Sequence, residues 1–107
     1  MCYIEPMDTK TFTALAEPNR LRIVELLRKQ PCSVNQVAES LKLRQPQASK
    51  HLHTLSLAGL VTVKPLAQQR MYALNPAPFL QLDDWVNSFQ QYWDQRLTTL
   101  ETYLQKG

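Results

Sequence analysis

The side chains best suited to chemistry in this chain are polar groups clustered between residues 44 and 54. An advance of about 100° per residue in a helix places Ala48 and Leu55 beside Leu52 on one apolar side. The opposite side and its flanks carry groups that hydrogen-bond to base edges and phosphates: Gln47, Ser49, Lys50, His51, His53 and Thr54. Arg44 and Gln45 precede them at the helix start, where free N–H groups can hold a phosphate. The pattern favours a helix that reads double-stranded DNA.

Two of these polar residues, His51 and His53, raise the question of a metal site. A metal needs several His, Cys or carboxylate ligands that converge, whereas residues two apart on a helix point in different directions. We therefore expect no metal and no cofactor, and we expect these histidines to contact phosphates or bases. The chain also has no glycine-rich phosphate loop, no paired acid/base constellation and no nucleophile motif, which argues against an enzyme.

The element directly before this reading helix (residues 45–58) is a second short helix. Ser33 and Gln36 have the spacing of a capping box, which predicts a helix over residues 34–41. A three-residue turn then leads into the reading helix, and Gly59 is expected to end it in the left-handed conformation. Together the pair has the layout of a helix-turn-helix.

Two further helices are predicted upstream. Asp8 is placed to cap a helix over residues 9–16, and Pro18 opens a helix over residues 19–29, where its missing N–H costs nothing. The residues expected on their buried sides are Phe12, Leu15, Ala16, Leu21, Ile23, Val24, Leu26 and Leu27. Pro31 is expected to stop the second helix.

Downstream, alternating and β-branched residues predict a β-hairpin with strands 60–64 and 70–74. The turn region is 65–69, with its length left open. In a winged helix the hairpin lies along the DNA backbone or the minor groove. The residues suited to that contact are Lys64, Gln68, Gln69 and Arg70. An ordinary polar turn is the alternative.

The last predicted element is one long helix over residues 79–105, with apolar positions at steps of three and four. Those positions are Leu82, Trp85, Val86, Phe89, Tyr92, Trp93, Leu97, Leu100 and Leu104. A chain of 107 residues is too small to bury such a face alone. We expect a two-fold homodimer in which this helix and Phe12 of the first helix pack against their mates. Packing within one chain is the alternative.

Charge is distributed unevenly along the chain. Residues 20–70 contain nine Lys and Arg residues against two Glu, a net charge of +7, and the remaining residues carry −4. A basic middle between acidic ends favours contact with a polyanion. In the expected dimer the two reading helices would lie about 34 Å apart and face successive major grooves of a palindromic operator.

A length of 107 residues predicts a single domain over residues 1–107, and the predicted elements make it mainly α with a small β-hairpin wing. We divide it into N-terminal helices (8–29), a helix-turn-helix (33–58), a wing (60–74) and a dimerisation helix (79–105). No apolar run is long enough for a membrane span, and the N-terminus lacks the pattern of a secretory signal. Two cysteines, Cys2 and Cys32, fit a reducing cytoplasm.

Four segments resemble the arsenic-repressor-like (ArsR) winged-helix regulators. Residues 15–27 (LAEPNRLRIVELL) are similar to the family's opening, and residues 45–52 (QPQASKHL) to its reading helix. Residues 57–61 (LAGLV) match its exit from that helix, and residues 70–74 (RMYAL) its wing strand. The resemblance covers about residues 10 to 105. It implies a homodimeric bacterial transcriptional regulator, usually a repressor that a signal releases.

The chain departs from this family at its metal sites. The thiol positions of the family's metal sensors fall on Ser33 and Asn35, with Cys32 one residue off. A second family site, on the last helix, is matched only by Asp83 and Asp84, with no histidine there. The resemblance is therefore to the branch that lacks metal sites. Arg44 also stands where the family often has a serine cap, which exchanges a cap for a charge suited to phosphate.

The leading hypothesis is a sequence-specific DNA-binding regulator, a homodimeric repressor whose inducer is unknown. One alternative keeps the fold and adds a thiol or soft-metal sensor at Cys2 and Cys32, although two thiols are too few for a closed zinc site. Another is a protein-interaction module that uses the aromatic helix and whose basic middle is incidental.

Overall fold

The structure is a computed structural model that describes residues 9–106, without the side chains of residues 98–103, 105 and 106. Along these residues the elements run α1 (Thr9–Leu15), α2 (Pro18–Leu27), β1 (Cys32–Ser33), α3 (Val34–Leu41), α4 (Gln45–Leu57), β2 (Val61–Leu66), β3 (Gln69–Leu74), α5 (Pro76–Ser88) and α6 (Gln90–Lys106). The mainly helical fold with a small hairpin wing is as predicted. No described helix combines the length and apolar character that crossing a bilayer requires.

The hydrophobic core lies where α2, α3 and α4 meet the strands. Its largest fully buried side chains, each below 2% exposed, are Ile23, Val37, Leu52, Leu55 and Leu60. Residues at i, i+4 and i+7 of α4 (Ala48, Leu52 and Leu55) lie on the inward side of that helix. The core therefore fixes which side of the reading helix, now α4, points outward.

The N-terminal helices pack differently from the prediction. On α1 the buried residues are Thr11 and Ala14, while Phe12 is exposed. Small side chains let two helices approach closely, which explains why α1 presents these two to the core. Leu21 of α2 is also exposed, because the buried side of α2 is formed by Ile23, Val24 and Leu27, at i, i+1 and i+4. The predicted cap Asp8 lies outside the described residues.

The helix-turn-helix matches its prediction closely. The capping box is present: Ser33 Oγ accepts from the Gln36 backbone N–H at 3.2 Å, and Gln36 Oε1 accepts from the Ser33 N–H at 2.8 Å. The turn passes through Lys42, whose φ of 57° lies in the left-handed region. Gly59 follows α4 with φ of 79°, as expected for a helix-ending glycine.

The wing is a longer and tighter hairpin than the sequence pattern indicated. Strand β2 pairs with β3 from Val61↔Leu74 to Leu66↔Gln69, so the turn has two residues rather than five. Ala67 in that turn has φ of 56°, the positive value that two-residue hairpin turns require. Pro65, predicted in the turn, lies in β2, an edge strand where a missing N–H is tolerated.

A short strand that the sequence pattern did not predict completes the sheet. β1 pairs antiparallel with β3 through Cys32↔Tyr72 and Ser33↔Met71, which gives the strand order β1-β3-β2. A strand of two residues has no alternation to detect. Its effect is to tie the wing to the start of α3.

The predicted long helical segment at the C-terminus is present, but it differs in two respects from one helix over residues 79–105. The helix begins at Pro76, where Asn75 Oδ1 accepts from the Ala77 N–H at 3.3 Å. It is also interrupted at Phe89, whose N–H donates to Val86 O at 3.1 Å instead of to Trp85 O. The Ser88 hydroxyl donates to Trp85 O at 2.6 Å. A side-chain donor thus takes the carbonyl that the helical bond would have used.

Candidate nucleic-acid interface

The outward side of α4 carries four of the predicted side chains in exposed positions. These are Gln47, Ser49, Lys50 and His53, and the exposed Arg44 and Gln45 stand at the start of the helix. Arg44 has no acceptor for a side-chain cap, and its own N–H donates to Gln47 Oε1 at 3.3 Å. Pro46 has no N–H, so the first turn offers the N–H groups of Gln45 and Gln47 and the positive end of the helix dipole, an arrangement that suits a phosphate.

Two of the predicted contact residues, His51 and Thr54, are partly buried instead. The His51 side chain is 17% exposed, and its Nδ1 lies 3.8 Å from Glu17 Oε2 at the beginning of α2. The Thr54 hydroxyl donates to Lys50 O at 3.1 Å, a bond back to the preceding turn of the same helix. His51 flanks the outward side of α4, where the nearest partner decides the direction of the side chain, whereas Thr54 was expected to face outward and is instead only partly exposed.

All four predicted wing residues, Lys64, Gln68, Gln69 and Arg70, are exposed. The register pairs Lys64 with Met71 and Arg70 with Pro65. Since side chains alternate along a strand and cross-strand partners share a face, Lys64 and Arg70 lie on opposite faces of the ribbon. The hairpin therefore does not bring its two cations into one patch.

The cations near this surface lack acidic neighbours. Among the side chains that the structure describes, no acidic group lies within ion-pair distance of Arg44, Lys50, Lys64 or Arg70. The exposed ion pair between Arg28 Nη1 and Glu25 Oε2, at 3.4 Å, lies at the C-terminal end of α2. Because the positive charge of α4 and the wing is not neutralised within the described chain, it is available to an external anion.

The cysteine that the structure describes is part of the core. Cys32 is 2% exposed, and burial raises the pKa of its thiol. A buried thiol with a raised pKa has little thiolate at neutral pH and reacts slowly. Cys2 lies outside the described residues. Among the side chains described within 9–106, no three of His, Cys, Asp and Glu converge as metal ligands.

The C-terminal helices carry aromatic residues that remain open to solvent. Trp85 meets Phe12 of α1 edge-on at 5.3 Å between ring centroids, and Phe89 at 5.1 Å. We define the C-terminal apolar face as those predicted apolar positions of the C-terminal segment that are exposed, together with Phe12 of α1: Phe12, Trp85, Val86, Phe89, Tyr92, Trp93, Leu97 and Leu104. Leu82, predicted for the same interface, is half-buried, and the side chain of Leu100 lies outside the described set.

Comparison with known proteins agrees with this architecture. Residues 15–64 match the family model described as a helix-turn-helix domain. The chain is 33% identical over 89 residues to the HTH-type transcriptional regulator Rv2034 of Mycobacterium tuberculosis (strain ATCC 25618 / H37Rv), covering 83% of this chain and 80% of that protein. It is 27% identical over 86 residues to the transcriptional repressor SdpR of Bacillus subtilis (strain 168). This match covers 80% of this chain and 96% of SdpR.

Solved structures of transcriptional regulators share this fold. An ArsR family transcriptional regulator superposes with a TM-score of 0.71 at 27% identity, over 80% of this chain and 94% of that one. A homodimeric winged helix-turn-helix DNA-binding domain from Mycobacterium bovis shares the fold, with a TM-score of 0.66 at 21% identity, over 85% and 91%. With a relative one-third identical over most of both chains, the protein belongs to the ArsR-like family of winged helix-turn-helix transcriptional regulators.

Proposed function

We propose that the protein is a homodimeric repressor that binds a palindromic operator in double-stranded DNA. The observation that carries the proposal is the two-sided character of α4. Its inward residues Ala48, Leu52 and Leu55 are fully buried, and its outward residues are polar, cationic and without acidic partners among the described side chains. A helix held in this way can enter a major groove without rearranging the core.

In this proposal Gln47, Ser49, Lys50 and His53 contact base edges and phosphates in the major groove. Gln can pair bidentately with adenine, and Lys can reach guanine or phosphate. Arg44 and Gln45 hold a phosphate at the helix start. His51 and Thr54 do not belong to this contact set, because each is partly buried and directed toward the protein.

The wing supplies a second set of contacts. Gln68 lies in the two-residue turn, with Gln69 and Arg70 directly after it in β3, and Lys64 is on the other strand. Contacts of this kind to the backbone set the position of the protein on the duplex without specifying sequence. Because Lys64 and Arg70 are on opposite faces, we assign them to different phosphates.

The C-terminal apolar face supports the homodimer. Trp85 and Trp93 are 41% and 55% exposed, although large aromatic residues normally contribute most of their area to cores or interfaces. Contiguous apolar surface of this kind typically marks an interaction site. The repressor role is supported by the relative named as a transcriptional repressor. We propose that the protein acts on the chromosome, in the cytoplasm.

The decisive experiment is selection of bound sequences from random duplexes by the purified protein, followed by footprinting on the selected site. We expect an inverted repeat with half-sites one helical turn apart and protection of two successive major grooves on one face of the duplex. Light scattering of the complex should give two chains per site. A chain that binds no duplex at low ionic strength contradicts the proposal, because electrostatic attraction is strongest there.

A further inference from the structure

A polar contact between α2 and α4 stands out from the apolar packing around it. Apolar packing keeps α4 against the core, but the hydrophobic effect has no preferred direction. The Glu17 carboxylate instead approaches the His51 ring at one specific point, with 3.8 Å between Oε2 and Nδ1, at one border of the outward side. Their side chains are 32% and 17% exposed, so the pair is shielded more than a typical surface ion pair.

The carboxylate in this contact is itself held in place. Glu17 is the N-cap of α2, and the same Oε2 accepts from the Arg20 backbone N–H at 2.9 Å. His51 therefore faces an anion whose position is set by the first turn of α2 rather than a freely rotating side chain. A ring N–H of His51 is attracted to a carboxylate that is held in place, and this attraction restricts the side chain on α4.

Arg20 extends the contact to α1. Its Nε donates to Ala14 O at 2.7 Å, and its Nη2 donates to Thr13 O at 3.4 Å. These carbonyls belong to the last turn of α1, which also carries Phe12 against Trp85 of α5. A continuous series of contacts thus runs from the C-terminal apolar face through α1 and the start of α2 to the reading helix.

We propose that His51 is a positioning residue for DNA recognition, and that its contact with Glu17 sets the orientation of α4 relative to the C-terminal apolar face. The inference rests on the proposed function, since the two reading helices of a dimer must match the spacing of two half-sites. His51 acts through the direction of its helix and not by touching a base. We call the pair Glu17–His51 the polar joint.

The test measures how well the dimer distinguishes operators of correct half-site spacing from operators with one base pair inserted. Removal of a side chain that touches DNA lowers affinity for both operators by the same factor. Loosening of the polar joint instead lowers the ratio of the two affinities, because α4 can then follow either spacing. We expect His51→Ala and Glu17→Gln each to reduce this ratio about fivefold, and the double variant to reduce it no further.

Three further variants control the experiment. His51→Asn keeps an N–H donor near the position of Nδ1, and we expect it to recover most of the ratio. Glu25→Gln removes a carboxylate from the exposed pair with Arg28 on the same helix, and it should leave the ratio unchanged. Lys50→Ala, at a proposed contact, should lower both affinities equally. Glu17→Gln retains an acceptor for the α2 cap, so it should remain folded if His51→Ala does not.

Failure of the inference can be told apart from failure of the proposed function. If the wild type binds no operator, the proposed function is wrong. If it binds and the ratio survives both His51→Ala and Glu17→Gln, the positioning role is wrong. The ¹⁵N chemical shift of His51 Nδ1 tests the polar joint without DNA. It should change in the Glu17→Gln variant and stay the same in Glu25→Gln. An unchanged shift in Glu17→Gln would mean that Glu17 and His51 do not interact.

Discussion

The reading helix and the C-terminal helices both have one apolar side, but only the reading helix covers that side within its own chain. On α4, Ala48, Leu52 and Leu55 have no exposed surface. On α5 and α6 none of the described side chains is fully buried, although the segment holds both tryptophans. The first element is complete in one chain, and the second has the character of half an interface.

This difference, together with the outward side of α4, predicts three different outcomes of substitution. Substitutions on the buried side of α4 should unfold the chain, because they remove core packing. Substitutions on the C-terminal apolar face should leave each chain folded and remove its association. Substitutions on the outward side of α4 should do neither and should change DNA binding alone.

The largest expected effect is on dimerisation. We expect Trp93→Glu to weaken the dimer by about 4 kcal/mol or more, since a two-fold interface loses the residue twice and gains two buried charges. Light scattering should report a single chain whose circular dichroism spectrum is still helical. Leu80→Glu changes an equally exposed apolar residue of α5 outside the C-terminal apolar face and should remain dimeric. A dimeric Trp93→Glu would mean that this face is not the interface.

The next effect concerns the core of the reading helix. Leu52→Ala should lower the free energy of unfolding by about 3 kcal/mol through reduced burial and the cavity that remains. Urea denaturation measures it, at equal protein concentration so that dimerisation does not confound the comparison. Leu57→Ala, at a residue of α4 that is 74% exposed, is the matched control and should cost far less. Equal losses of stability for the two variants would contradict the assignment of the buried side.

A smaller effect is expected on operator affinity. Lys50→Ala and Gln47→Ala should each raise the Kd for the selected operator by about tenfold or more, without lowering the melting temperature. Lys29→Ala removes an exposed charge that follows α2 and should leave the Kd nearly unchanged. Fluorescence anisotropy at fixed salt measures all three. Wild-type affinity in both Lys50→Ala and Gln47→Ala would mean that another face of the protein meets the DNA.

Phosphate contacts by the wing should affect how strongly DNA binding depends on salt concentration. Arg70→Ala should weaken binding to every sequence and reduce the slope of log K against log salt by about 1 for each phosphate that the protein no longer neutralises. Lys64→Ala reports the same quantity for the opposite face of the hairpin. Comparison of the two slopes identifies the face nearer the backbone. If neither slope changes, the hairpin does not contact phosphate.

The smallest effect concerns the turn between α3 and α4. Lys42 occupies the left-handed region at φ 57°, which costs a residue with a Cβ atom about 1 kcal/mol. Lys42→Gly removes that strain but adds entropy to the unfolded chain, so we expect a net stabilisation of about 0.5 kcal/mol. Urea denaturation would detect it. A clear loss of stability would indicate that the Lys42 side chain makes a stabilising contact.

Elements with strong local signals were predictable from sequence. The capping box of Ser33 and Gln36, the extent of α3 and the glycine that follows α4 were all anticipated, because short-range side-chain and backbone chemistry determines them. The elements that were missed depend on partners distant in sequence. β1 exists because β3 lies beside it, and Phe12 is exposed because smaller residues of α1 fit the core better.

The candidate site shows the same division. The 100° rule identified the outward positions of Gln47, Ser49, Lys50 and His53 correctly. Two residues differ from the expectation. His51, on the flank of the outward side, lies against Glu17, and Thr54, expected to face outward, is partly buried with its hydroxyl bonded to the Lys50 carbonyl. The interruption at Phe89 was missed because it depends on the hydroxyl of Ser88 competing for one carbonyl.

Ser33 belongs to two elements at once, as the last residue of β1 opposite Met71 and as the cap of α3. The hairpin stem cannot tilt without disturbing the first turn of the helix-turn-helix. The hairpin and the helix-turn-helix therefore move together, and the distance between the hairpin and the reading helix is fixed. A duplex that engages both has to match this fixed spacing, so we expect base steps that deform easily between the two points of contact to be part of what the protein prefers.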